Sequence, residues 1–96
     1  MSYTVDLSFR ARRELVESRN WYEEKQPGLG RRFVHEVFAK VHLIENNPEH
    51  YPRKKGFHEA KIDVFPFLIV YKSFKSSNMI IIISIFHMSR HPKKKY

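Results

Sequence analysis

Phe67-Leu-Ile-Val-Tyr71, the turn Lys75-Ser-Ser-Asn78 and Met79-Ile-Ile-Ile-Ile-Ser-Ile-Phe86 form the stretch on which the fold turns. A continuous apolar run of β-branched residues, bounded by turn residues, reads as a buried central strand. Phe67–Tyr71 reads as its antiparallel neighbour across the turn. Just upstream, Ala60, Ile62 and Val64 alternate with Lys61 and Asp63, the period-two pattern of a half-exposed strand, before Pro66 interrupts. Still further upstream, Glu49-His-Tyr-Pro-Arg-Lys-Lys-Gly-Phe57 is polar and basic, with a Pro and a Gly, and reads as a loop.

The first half of the chain has a different period. Tyr3–Leu7 is a short strand by its β-formers, and Ser8 is placed to cap a following helix. Ala11, Leu15, Ser18 and Tyr22 share one face of a helix from Phe9 to about Glu24. Gln26-Pro-Gly-Leu-Gly30 breaks it. Phe33, Val37, Val41 and Ile44 define a second helix, from about Leu29 to Glu45, that Asn46-Asn-Pro48 ends. This order predicts an α+β domain, β-α-α-β-β-β, with a helical hairpin packed on one face of a four-stranded, mostly antiparallel sheet. The strand after the helices should run antiparallel to the first, and the opposite face, carrying Lys61 and Asp63, should stay open.

With 96 residues, one domain spanning 1–96 is expected, with a basic tail from about residue 87. The absence of cysteine excludes disulfides, thiolate nucleophiles and Cys-based metal sites, and accords with a reducing cytoplasm. No secretory signal is expected at Met1, where Asp6, Arg10, Arg12 and Arg13 interrupt any apolar region. Met79–Phe86 falls far short of the roughly 20 residues of a membrane-spanning helix, so no membrane partner is expected. The net charge of +8 is one-sided. Residues 1–50 balance to zero, while residues 51–96 carry ten Lys or Arg against Glu59 and Asp63. Such clustering points to an anionic partner, either nucleic acid or an acidic protein segment.

Six histidines raise the question of a metal, but His35 and His42 are seven apart rather than four, and no metal or other cofactor is expected. Gly28 and Gly30 lack the Lys-Ser/Thr signature of a phosphate loop. His87, at the end of the last strand, is followed by Arg90, His91 and Lys93–Lys95. A His able to exchange a proton near neutrality, beside cations, suits metal-free RNA cleavage, and Glu59 could serve as the paired base. The plainer alternative is that His87 ends the strand and the basic tail binds an acidic partner.

Several motifs recur in order along nearly the whole chain. They are Ala11-x3-Leu15 with Trp21-Tyr22, Pro27-Gly-Leu-Gly-Arg-Arg-Phe33, Asn47-Pro48 with Tyr51-Pro52, Phe65–Tyr71, and Phe86-His-Met-Ser-Arg-His-Pro92. In these the chain resembles toxins of the RelE/ParE superfamily of bacterial type II toxin–antitoxin systems, particularly the ParE-like plasmid stabilisation branch. The resemblance implies the β-α-α-β-β-β fold, a cytoplasmic growth inhibitor, and a cognate antitoxin with an acidic amphipathic segment.

It also implies two unlike activities. RelE-type members are mRNA interferases that cut message on the ribosome; ParE-type members inhibit DNA gyrase without acting as nucleases. Where RNA-cutting relatives place a second cation on the second strand, this chain has Lys61 and then Asp63. Where they place an Arg early in the third, it has Leu68 or Phe67. A gyrase inhibitor is therefore expected. The first alternative is a ribosome-dependent endoribonuclease, with His87 as acid or base, Lys61 and Arg90 on the phosphate, and Tyr96 stacking. The second is a nonspecific nucleic-acid binder using Arg53, Lys54, Lys55, Arg90, Lys93, Lys94 and Lys95.

Overall fold

The computed structural model describes residues 3–89. Strand β1 (Thr4–Leu7) leads through Ser8 into helix α1 (Phe9–Lys25), and helix α2 (Leu29–Asn46) returns beside it. Four strands follow: β2 (Arg53–Lys54), β3 (Phe57–Lys61), β4 (Phe67–Phe74) and β5 (Met79–His87). They form one sheet in the order β1-β5-β4-β3-β2, in which only the β1–β5 pair is parallel.

Ser8 ties the first strand, the first helix and the central strand together. Its Oγ accepts from Ala11 N–H at 3.0 Å, capping α1, and donates to Ile83 O at 2.8 Å; its own N–H donates to Ile82 O at 2.9 Å. Beyond this point β1 ends and β5 would expose an unpaired edge. Glu14 of α1 covers it, accepting from Ile85 N–H at 3.0 Å and Ser84 Oγ at 2.8 Å, with Arg10 3.2 Å from its other oxygen.

The hairpin turns tightly because Gly28 takes φ +90° and Gly30 leaves room for α1. A Cβ at Gly30 would lie 2.5 Å from Arg19 O. Gly28 offers no side-chain cap, and Glu23 supplies one from the other helix, accepting from Gly28 N–H at 2.8 Å and Gly30 N–H at 3.0 Å. These bonds, chiefly that from Gly28, hold the Glu23 carboxyl below the usual carboxylate range.

The helices bury Ala11, Phe33, Val37, Val41 and Ile44 against Ala60, Phe67, Ile69, Tyr71, Ile80, Ile82 and Ile85 of the sheet. Alternation sends Leu68 and Val70 to the other face, where Lys61 and Lys72 are exposed. That face is not simply open, because Val70 and Phe86 are buried.

Among the described residues the sheet has five strands where four are expected, and the fifth resolves the strand directions. The chain leaving α2 does run antiparallel to β1, but only as the two-residue β2. A two-residue turn with Lys55 at φ 56° and Gly56 at φ 84° then reverses it, so β3 runs parallel to β1, contrary to the expectation. Positive φ at both turn residues is the hairpin geometry whose twist matches the strands. β3 also lies earlier than the Ala60–Val64 pattern suggests, since it ends at Lys61. Ile62 is buried, and Asp63 and Val64 are exposed in the bend that follows.

Candidate functional site

β4 outlasts β3. Tyr71, opposite His58, is the last residue of β4 in register with β3, whereas β4 continues against β5 to Phe74. Beside this overhang lies an open pocket of about 330 Å³, lined by Glu49, Arg53, Gly56, His58, Lys72, Ser73, Phe74 and Lys75. A hydrogen-bonded cluster fixes its floor. The Tyr71 hydroxyl donates to Pro48 O at 2.6 Å, and burial pushes its phenol well above the ordinary range. The buried His58 ring stacks on Tyr71, with centroids 5.0 Å apart and planes 14° apart.

His58 Nδ1 is 2.9 Å from Tyr51 O. A carbonyl only accepts, so Nδ1 carries the hydrogen and Nε2 faces Glu49 Oε1 at 3.6 Å. Ser73 Oγ donates to the other oxygen of Glu49. That bond, aided by the charges of His58, Lys75 and Arg53, holds the Glu49 carboxyl below its usual range. The corner therefore combines an ionised carboxylate on the floor, 39% exposed, with three cations around it. Lys72 Nζ stands 4.8 Å above the Phe57 ring, and Phe74 is 43% exposed.

The residues expected to carry chemistry are dispersed. Arg53, Lys54 and Lys55 are exposed on the β2–β3 hairpin, and of these Arg53 reaches the pocket. Glu59 stands opposite Val70, on the outer face with exposed Lys61, which pairs with Leu68. His87 stands opposite Phe67 on the helix-facing side. Its ring meets Phe67 edge-on at 4.9 Å, and its Nδ1 accepts from Ser89 N–H at 3.2 Å. The register thus sets His87 and Glu59 on opposite faces and does not assemble them as an acid–base pair. Arg90, Lys93, Lys94, Lys95 and Tyr96 lie outside the described residues.

Asp63 is not on the outer face with Lys61. It follows β3 and lies 3.7 Å from Lys40 Nζ of α2, so it does not oppose an anion bound along that strand. His35 and His42 are exposed on α2, and the described residues contain no group of three potential metal ligands. No helix of the described residues is long and apolar enough to cross a membrane. The sequence reading misses Glu49, His58, Lys72, Ser73 and Lys75. A signal for His58 exists: counted back from Ala60 and Ile62, it falls on the inward side of its strand, an unusual place for an imidazole.

A helical hairpin laid on one face of a small mixed sheet is a fold this chain shares with solved toxin–antitoxin structures. The structure is similar to that of a chromosomal ParDE toxin–antitoxin system from P. aeruginosa, with a TM-score of 0.77 and 13% identity, covering 90% of this chain and 96% of that one. It is also similar to the RelBE2 toxin–antitoxin complex of Mycobacterium tuberculosis, with a TM-score of 0.62 and 20% identity, covering 91% and 99%. No curated protein matches the chain in sequence. Residues 5–92 match the family described as "ParE toxin of type II toxin-antitoxin system, parDE", and the chain belongs to that family.

Proposed function

We propose that this toxin arrests growth in the cytoplasm by inhibiting DNA gyrase, and that a cognate antitoxin with an acidic amphipathic segment neutralises it. The observation that carries the gyrase reading is the separation of His87 from Glu59 and Lys61 across the sheet, with apolar Leu68 beside Lys61. Metal-free phosphodiester cleavage needs an acid, a base and cations converging within hydrogen-bond reach of one phosphate. Asp63 pairs with Lys40 and does not bear on a phosphate bound along β3.

The antitoxin reading is supported by the solved relatives, which are described as toxin–antitoxin assemblies. It is also supported by the one-sided positive charge, which favours fast capture of an acidic segment. Such a segment would order as it binds. The experiment is to induce the chain and follow DNA supercoiling and mRNA integrity together. Loss of supercoiling or trapped cleaved DNA, with message intact, is expected. Early cleavage of ribosome-bound message with supercoiling unchanged overturns the gyrase reading in favour of an mRNA interferase. Harmless expression, with salt-sensitive nucleic-acid binding alone, overturns the toxin reading itself.

A further inference from the structure

We propose that the corner pocket between the β2–β3 hairpin and the end of β4 binds one nucleotide of an unpaired nucleic-acid strand, with guanine preferred. This goes beyond growth arrest and does not depend on the target of the toxin.

The pocket carries both signs of charge. Arg53, Lys72 and Lys75 line it, and a phosphodiester on that rim would meet three cations. The floor, however, holds the carboxylate of Glu49, kept ionised by Ser73 and by the neighbouring positive charge. An acidic side chain of a protein partner, entering to meet the cations, would be pushed back by that carboxylate. A nucleotide divides its chemistry as the pocket does, with its anion at one end and N–H donors on the base edge.

Glu49 has already accepted from Ser73 and faces His58, and a carboxylate retains further lone-pair sites for a second set of donors. Guanine places two donors, N1–H and the N2 amino group, side by side to meet two carboxylate oxygens. Adenine and cytosine instead set a ring acceptor beside their amino group, against the negative charge. Phe74, partly exposed at the pocket wall, offers a ring for the base to stack on. A volume of about 330 Å³ lies at the small end of the range for ligand pockets and suits a single nucleotide rather than a longer segment.

The test is an amide NMR titration of the full chain at low salt with GMP, AMP, inorganic phosphate and a short oligoglutamate. GMP should shift the amides of Arg53, Gly56, Ser73 and Phe74 and bind about tenfold more tightly than AMP, the discrimination of one bidentate base contact. Glu49→Gln should abolish the preference for GMP over AMP. Lys75→Ala, at an exposed position that no core contact needs, should weaken both nucleotides alike and serves as the variant that keeps the fold. Equal binding of GMP and AMP overturns the proposal, as does a response to phosphate alone, which would make the pocket an adventitious anion site. Stronger binding of oligoglutamate assigns the pocket to a protein partner instead. None of these readouts uses toxicity, so failure here leaves the growth-arrest reading standing.

Discussion

Phe67 and Tyr71 stand four residues apart on the same face of β4, yet they belong to two different kinds of interior. Phe67 sits among rings, 4.8 Å from Phe33 and 6.3 Å from Tyr22, with Phe65 closing the group 5.3 Å from Phe33. Tyr71 is as fully buried, but it stacks on an imidazole and gives its hydroxyl to Pro48 O. The first interior is held by area and shape, which many apolar combinations satisfy. The second is held by directed bonds, in which removing one partner strands another. The aromatic end stabilises the domain, whereas the polar corner fixes the 48–52 connection and forms a pocket.

The largest effect expected is at the aromatic end. Phe33→Ala should cost about 3–5 kcal/mol, read as a fall in the urea midpoint with an unchanged slope. A loss below about 1 kcal/mol would mean that the rings around it are not a tightly packed interior. Gly30→Ala tests the helix contact beside that group. Replacing a helical glycine by alanine usually gains roughly 1 kcal/mol. Here the new Cβ would press on a backbone oxygen, so a loss of about 1–3 kcal/mol is expected.

At the polar corner, Tyr71→Phe should cost about 1 kcal/mol at neutral pH by leaving Pro48 O without its donor. The phenol is raised in the fold, so its contribution is fully present below its unfolded pKa of about 10 and is lost as pH rises above it. The variant should therefore be less sensitive to alkali than the parent, measured by urea unfolding from pH 8 to pH 11. An identical alkaline decline in both would show that Tyr71 does not set it.

Ser73→Ala addresses the acid side. The Glu49 carboxyl is lowered in the fold, so its stabilisation is present above the unfolded value of about 4.3 and fades as pH falls through the folded one. Removing the Ser73 donor should flatten the decline in stability below about pH 4.5, by a small amount for so exposed a carboxylate. The smallest effect on growth arrest is expected at the margin of the aromatic group, where the His87 ring meets Phe67. Under the gyrase reading His87→Ala should leave growth arrest intact, because the register sets His87 and Glu59 on opposite faces of the sheet. Loss of arrest in a folded His87→Ala protein would return the nuclease reading to the front.

Local pattern determined a great deal about this protein by itself. Helical spacing in residues 9–46, alternation near Ala60, and the Met79–Phe86 run each report which side of an element meets the core. Such periodicities are local and survive without knowledge of partners. The ordered motifs also pointed to the family that residues 5–92 match. Tertiary structure decided what depends on register. Two residues, Arg53 and Lys54, pair as a strand only because β3 is there to receive them, and that hairpin sets the direction of every strand after it. Asp63 meets Lys40, 23 positions away, and Ser73 meets Glu49, 24 positions away; no spacing rule joins either pair. The same register separated His87 from Glu59 and brought Glu49, His58 and Lys75 into one pocket. A side chain's face is written in the chain's own period, but its neighbours across the sheet are chosen only when the strands align.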